Sequence, residues 1–253
     1  MKVQSAIEQV VTTITKWPAV EAIALMDYQD DMYDPYFFIS LDVYVSSDIP
    51  KDQKRRDDFS FTGGFETGPM GRKDRFFYEE IPFRLEYKQT ARFEEIPRHV
   101  QNNKVVLRDA GTYELYRFVN AKVAFDRSGW LETNRKAFQG LPDVFWTALS
   151  HENALKMEHY LSDLGAAALR EDYLFFTVSS SGFLKSLCST LYAINKKLEP
   201  SARFLSQEVY QLPLLPDAFP GTLDSFLRPQ EMSLSRKREI AEIITKKVIR
   251  LLE

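Results

Sequence analysis

Cysteine is nearly absent: Cys188 is the one such residue in 253. A single thiol excludes an intramolecular disulfide framework and any cysteine-based zinc cluster. Long apolar runs are absent too, since none reaches the ~18 residues of a membrane span. The opening stretch MKVQSAIEQVV has neither a continuous apolar core nor a small-residue cleavage site, so no secretory leader is expected. Charge of one sign is not in excess: 33 basic against 36 acidic residues leave a formal net charge of -3. There is thus no global pull toward nucleic acid or an anionic membrane. The three histidines, His99, His151 and His159, are scattered and carry no metal-ligand signature. No Gly-x-Ser-x-Gly pattern occurs, which leaves hydrolase chemistry without support. A cytoplasmic protein without membrane or nucleic-acid partners is expected.

What is present is an ordinary folding composition, 44% hydrophobic and 27% charged, with 19 Phe and 12 Tyr. The length suits one large domain or two small ones and can bury a core without staples. Val3, Ile7, Val10, Val11 and Ile14 recur at helical spacing, and Pro18 ends that helix. Residues 19–26 form a short apolar run that reads as a buried strand, followed by an acidic loop over Asp27–Pro35. Tyr36–Ser46 is aromatic and β-branched and reads as a second strand. Residues 47–74 read as a long loop or a hairpin excursion. Phe83–Lys88 alternates cleanly as a third strand. A helix over Ala91–Gln101 carries Pro97, and a capped helix from Asp109 to Asn120 runs into a strand at Lys122–Phe125.

Beyond about residue 130 the pattern becomes helical. Helices are expected over Val144–Leu169, Tyr173–Leu198 and Ala202–Gln211. Prolines 213, 216, 220 and 229 read as a connecting region. A last helix, capped by Ser233, should turn Ile240, Ile243, Ile244, Val248 and Leu251 inward. The fold class is α+β: a mixed-sheet domain over residues 1–129 followed by a helical bundle domain over 130–253.

Two strands carry internal carboxylates. Asp42 alternates with Leu41 and Val43 and shares a face with Ser40 and Tyr44; Glu86 lies opposite Leu85 and Tyr87. If these strands are neighbours, Asp42 and Glu86 stand side by side. Two carboxylates at that distance repel, and such pairs commonly hold a cation. All-oxygen ligation suits Mg²⁺, often bridged to a nucleotide phosphate.

On these residues the chain resembles the nucleotidyltransferase-like superfamily, which includes the antibiotic nucleotidyltransferases. The likeness is nearer to an uncharacterised bacterial family with an appended helical domain. Leu115-Tyr116 before Lys122–Asp126, Leu169-Arg170-Glu171-Asp172, and Leu191-Tyr192-Ala193-Ile194-Asn195 before Pro200 carry the C-terminal part of the resemblance. It implies Mg²⁺-dependent transfer of a nucleoside monophosphate from an NTP to a hydroxyl of a small-molecule acceptor. Asp42 and Glu86 would be the catalytic residues and metal ligands, with Glu86 a candidate general base. Ser40, Arg170 and Lys185 would face nucleotide phosphates, in a cleft between the domains.

Two departures argue for weakened or lost activity. Met26-Asp27-Tyr28 stands where the family has a glycine-rich turn, whose bare backbone must approach a phosphate closely. Ser40 stands where the family has the first carboxylate of Asp-x-Asp, and a hydroxyl cannot offset Mg²⁺ charge as a carboxylate does. A nearby aspartate, Asp27, Asp30, Asp31 or Asp34, could substitute. The alternative is a non-catalytic nucleotide or small-molecule binding or sensing module on the same fold. Lys51, Lys54, Arg55, Arg56, Arg72, Lys73 and Arg75 form either a phosphate-facing lid or, with the aspartates among them, a solvated surface. Arg170 and Asp172 read equally as helix-junction caps, and Cys188 as a small buried hydrophobe.

Overall fold

The computed structural model describes residues 2–26, 37–60, 64–101, 111–228 and 232–253. The acidic loop, the Asp27-Tyr28 part of the missing glycine turn and Gly63 lie outside these residues. The chain divides into two compact units, Met1–Asn102 with Arg117–Leu141, and Asn103–Tyr116 with Pro142–Glu253.

Among the described residues the first unit holds one mixed sheet of six strands in the order β3-β4-β5-β2-β1-β6. Its strands are β1 (Val20–Leu25), β2 (Ile39–Val45), β3 (Glu66–Thr67), β4 (Lys73–Tyr78), β5 (Ile81–Gln89) and β6 (Lys122–Asp126). Only the β2–β5 pair is parallel; the remaining pairs are antiparallel. Every residue of β2 is buried, because both faces of this central strand are covered.

On one face Leu41, Val43, Leu85 and Tyr87 pack with Ile7, Val10 and Ile14 of helix α1 (Lys2–Ile14), with Trp17, and with Phe59, Phe65, Phe76 and Phe83. On the other face Tyr44 meets Phe93 of α3 (Thr90–Gln101), Phe118 of α4 (Tyr113–Asn120) and Trp130 of α5 (Trp130–Gln139), with centroids 5.2–5.4 Å apart. Helix α5 begins at the residue where the sequence changes character, yet it packs with the sheet. Arg135 donates to the Phe118 carbonyl, and Trp130 Nε1 donates to Glu94 at 2.7 Å.

The segment 47–74 is more ordered than a loop. It contains helix α2 (Asp52–Asp58) and the β3–β4 hairpin. The reason lies in Arg55, which the surrounding charge run disguises. Its guanidinium is buried and grips both oxygens of buried Asp74, Nε to Oδ2 at 2.8 Å and Nη2 to Oδ1 at 2.9 Å. Tyr87 Oη and Thr67 Oγ1 also donate to that carboxylate, at 2.6 and 2.9 Å. Burial first, then the Asp74 charge, push the Tyr87 hydroxyl well above its ordinary pKa, so it stays a donor.

The second unit is built on an antiparallel helix hairpin, α6 (Asp143–Leu169) and α7 (Tyr173–Ile194), whose core includes Met157, Leu164, Phe183, Leu187 and Leu191. Asp172 caps α7 by accepting the Phe175 N–H at 2.9 Å. Helix α7 stops at Ile194, four residues before the expected end. Asn195 leaves the helix to bond both backbone groups of Leu214, each at 2.8 Å. The helix expected over 202–211 is only the single turn α8 (Leu205–Glu208) followed by a 3-10 turn. The proline-marked region instead contains α9 (Phe219–Leu227), with Pro220 in its first turn, where a missing N–H costs nothing. Helix α10 (Leu234–Ile249) is capped by Ser233, which accepts the Arg236 N–H; Ile240, Ile244 and Val248 are buried, but Ile243, expected inward, is exposed.

Removing the Asp74 charge leaves Arg55 buried and unpaired, so Asp74→Asn should destabilise the protein by about 3–5 kcal/mol in urea unfolding. At Gly182 an added Cβ would lie 2.3–2.6 Å from the Tyr160 ring. Gly182→Ala should therefore cost about 1 kcal/mol on the same measurement, the overpacking exceeding the gain in helix propensity.

Candidate functional site

Parallel pairing of β2 and β5 sets Ser40 beside Arg84, Asp42 beside Glu86, and Tyr44 beside Lys88. Neighbouring strands lie about 4.8 Å apart, so Asp42 and Glu86 stand next to each other on one face of the sheet. Strand β4 adds Lys73 opposite Glu86 and Arg75 opposite Arg84 on that same face. This is the juxtaposition that alternation in the two strands implied.

What surrounds the two acids is protein cation. Asp42 is fully buried, and Arg117 of α4 approaches it as a fork, Nη2 to Oδ1 at 2.5 Å and Nε to Oδ2 at 2.8 Å. Lys88 Nζ donates to the same Oδ2 at 2.9 Å. Arg117 Nη2 also donates to Ser40 Oγ at 2.9 Å. The position where the resemblance places a carboxylate thus serves as a neutral acceptor for a guanidinium. Glu86 pairs with Arg84 and with Lys73, the latter at 3.2 Å. Burial pushes the Glu86 carboxyl up, but the combined pull of Arg117, Arg84, Lys88 and Lys73 outweighs it and holds the group below its ordinary value. A carboxylate held low is a weak proton acceptor near neutral pH, which counts against Glu86 as a general base.

Mg²⁺ does not fit these residues as they stand. Three charged donors already sit on the Asp42 carboxylate, one on Oδ1 and two on Oδ2, and a dication added there would be repelled by the arginine and lysine that supply them. Among the described residues no three His, Cys, Asp or Glu side chains converge to hold a metal ion. Among the described residues four cations, Lys73, Arg84, Lys88 and Arg117, surround these two carboxylates, a surplus of two positive charges. Arg84 Nε is buried without a hydrogen-bond partner, and its guanidinium lies over the Phe38 ring at 5.4 Å. Arg75, directly across from Arg84, is exposed.

Arg170 and Lys185 are not brought together. Arg170 is the exposed C-cap of α6, and its N–H bonds the Ala166 carbonyl. Lys185 is exposed on α7, three turns past the start of that helix, or about 18 Å along its axis. Of the basic residues weighed as a lid, Arg55 is sequestered by Asp74, Lys54 pairs with Asp58, and Lys73 belongs to the Glu86 face. Two residues that define the site, Arg117 and Lys88, were not among the sequence candidates. Lys88 was within reach of sequence reading, since it stands two residues from Glu86 on the same strand face. Arg117 is 75 residues from Asp42 and left no local signal.

Among the described residues no helix is long and apolar enough to cross a membrane. No curated protein matches the chain. Residues 109–205, less than half of the chain, match a family model described as a domain of unknown function (DUF4037). That span includes Arg117, Arg170 and Lys185 and excludes Ser40, Asp42, Glu86 and Lys88. A crystal structure of a nucleotidyltransferase-like protein from Exiguobacterium sibiricum 255-15 is similar at 14% identity and a TM-score of 0.49. The match covers 97% of this chain and 74% of that one. A likeness at that level carries no argument about activity.

Proposed function

We propose that this protein is a non-catalytic binding or sensing module related to the nucleotidyltransferase-like superfamily, and that it takes a phosphate-bearing small molecule, a nucleotide foremost, without a metal ion. The observation that carries this reading is the fork of Arg117 on the fully buried carboxylate of Asp42. A guanidinium does not deprotonate in proteins and presents its donors in a fixed plane. It neutralises Asp42 permanently, where a dication would come and go with its nucleotide.

The surplus cations supply the affinity. Like charges directly opposite on antiparallel strands are destabilising, and Arg75 faces Arg84 in this way. An anion lying over Lys73, Arg75 and Arg84 would relieve that repulsion and give the buried Arg84 Nε an acceptor. Phosphate oxygens suit arginine through charge-assisted, bidentate hydrogen bonds. The ordinary turnover reading, metal-assisted transfer, has the Asp42–Glu86 neighbourhood in its favour but must seat a dication among Lys73, Arg84, Lys88 and Arg117.

Two measurements test this. In calorimetric titration, a panel of nucleoside triphosphates and pyrophosphate should include a ligand that binds equally well in EDTA and in Mg²⁺, and Arg84→Ala should weaken it by about tenfold, the loss of one charge-assisted contact. Binding that requires Mg²⁺, accompanied by pyrophosphate release from an NTP, would overturn the reading. In urea unfolding, Asp42→Asn should lower stability by about 3 kcal/mol, because Arg117 loses its buried counter-ion. The loss should be the same with EDTA and with Mg²⁺; a loss seen only in Mg²⁺ would mean that Asp42 holds the metal after all.

A further inference from the structure

Helix α7 changes character along its length. From Ser186 to Ala193 every residue is buried, whereas the first half leaves a wide stripe open. Leu174 and Val178 are 76% and 61% exposed, and Tyr173 beside them is 72% exposed. Leu169, at the end of α6 across the hairpin turn, is 87% exposed. The stripe Leu174, Val178, Ser181, Lys185 follows the alternating four-and-three spacing of a helix–helix seam. No charged residue occurs from Tyr173 to Leu184.

From the structure we infer that this face pairs with the same face of a second copy of the chain, α7 against α7 and antiparallel, about a two-fold axis near Val178. The inference is independent of what the sheet face binds. Three features argue for a second copy over another partner. The first is charge. The hairpin tip carries one basic residue, Arg170, against two acidic ones, Glu171 and Asp172. At the other end of the stripe stands the exposed Lys185, which lies within electrostatic reach of Glu199. Antiparallel pairing about that axis sets the acidic tip of one copy against Lys185 of the partner subunit, twice over. A two-fold interface must be complementary to itself, and this patch is.

The second feature is area. The four exposed apolar side chains hold on the order of 500 Å² of surface, at the upper end of the largest patch a monomer usually shows. Doubled by the two-fold, with the flanking Thr177, Ser180 and Ser181, it reaches about the 1,200 Å² that specific interfaces begin to bury. The third is packing. The exposed Ser181 and the half-buried Ser180 stand beside Val178 and are small, so the backbones can approach closely where the two helices cross.

Analytical ultracentrifugation of the full chain tests the pairing. The wild type should show a concentration-dependent monomer–dimer equilibrium in the micromolar range. Val178→Glu should raise the dissociation constant by at least about tenfold, equivalent to 1.4 kcal/mol, with an unchanged circular dichroism spectrum, because the residue is exposed in the monomer. Lys185→Glu and Glu171→Lys should each weaken the dimer, and the double exchange should restore it, a result that a merely structural role for either residue would not produce. A wild type that stays monomeric across the micromolar range overturns the inference. So does a dimer that Val178→Glu leaves intact, because some other face would then hold it together.

Discussion

A carboxylate on the central strand of a sheet covered on both faces has to be neutralised. Water cannot do it there, and a bare buried charge costs more than a fold of this size can spare. A proton, a metal ion or a cation of the chain itself are the remaining options. Asp42 takes the third, from Arg117 on one helix and Lys88 on the neighbouring strand. The choice has a consequence for function. A proton or a metal ion exchanges with solvent, so a site built on either can cycle. Arg117 is tethered, and displacing it would leave its own charge buried and unpaired and Asp42 with Lys88 alone. The same contact that lets Asp42 exist in the core places two fixed cations against its oxygens.

Strand β5 carries polar networks back to back. Its outward alternation on one side gives Arg84, Glu86 and Lys88; on the other it gives Leu85 and Tyr87. Tyr87 donates into the Arg55–Asp74 pair, which pins α2 and the β3–β4 hairpin against the aromatic layer. Both networks contain a fully buried aspartate held by an arginine fork, yet they differ in balance. Around Asp74 one arginine meets one carboxylate, with two hydroxyls completing its hydrogen bonds. Around Asp42 and Glu86 the cations outnumber the acids among the described residues. A balanced pair fixes structure; an unbalanced one has charge left over for something else.

Much of the framework was legible because it depends on local periodicity. Strands β1, β2 and β5, helices α1, α6 and α10, and the caps Asp172 and Ser233 all follow from spacing and from residues that satisfy a helix end. The adjacency of Asp42 and Glu86 was legible as a condition, since alternation puts each on a definite face and only the pairing had to be supplied. The partners of those acids were not legible. Arg117 arrives from a helix 75 positions away, and its apolar neighbours Leu115 and Phe118 mark it only as part of an amphipathic helix. Arg55 was hidden by composition: within Lys51–Asp58 it is the single buried residue, and nothing in a charge run says which member turns inward. Pro220 misled in the opposite direction, because a proline reads as a break whether it follows a helix or opens one.

The helical unit repeats the lesson about burial with apolar groups in place of charges. Helix α7 is apolar over most of its surface, a composition that ordinarily marks a helix enclosed on every side. Its second half is enclosed by the core that includes Val209, Leu212, Phe219 and Ile244. Its first half is as apolar in composition but leaves Leu174 and Val178 exposed, while α6 approaches so closely at Gly182 that the Tyr160 ring fills the place of a side chain. Sequence and surroundings therefore agree over one half of the helix and disagree over the other. Leu174 and Val178 could be polar at no cost to the monomer, and a polar substitution there would lower the risk of aggregation. That they are not, on a helix whose two ends carry opposite charge, is what turns an exposed stripe into an argument for a second copy lying across it.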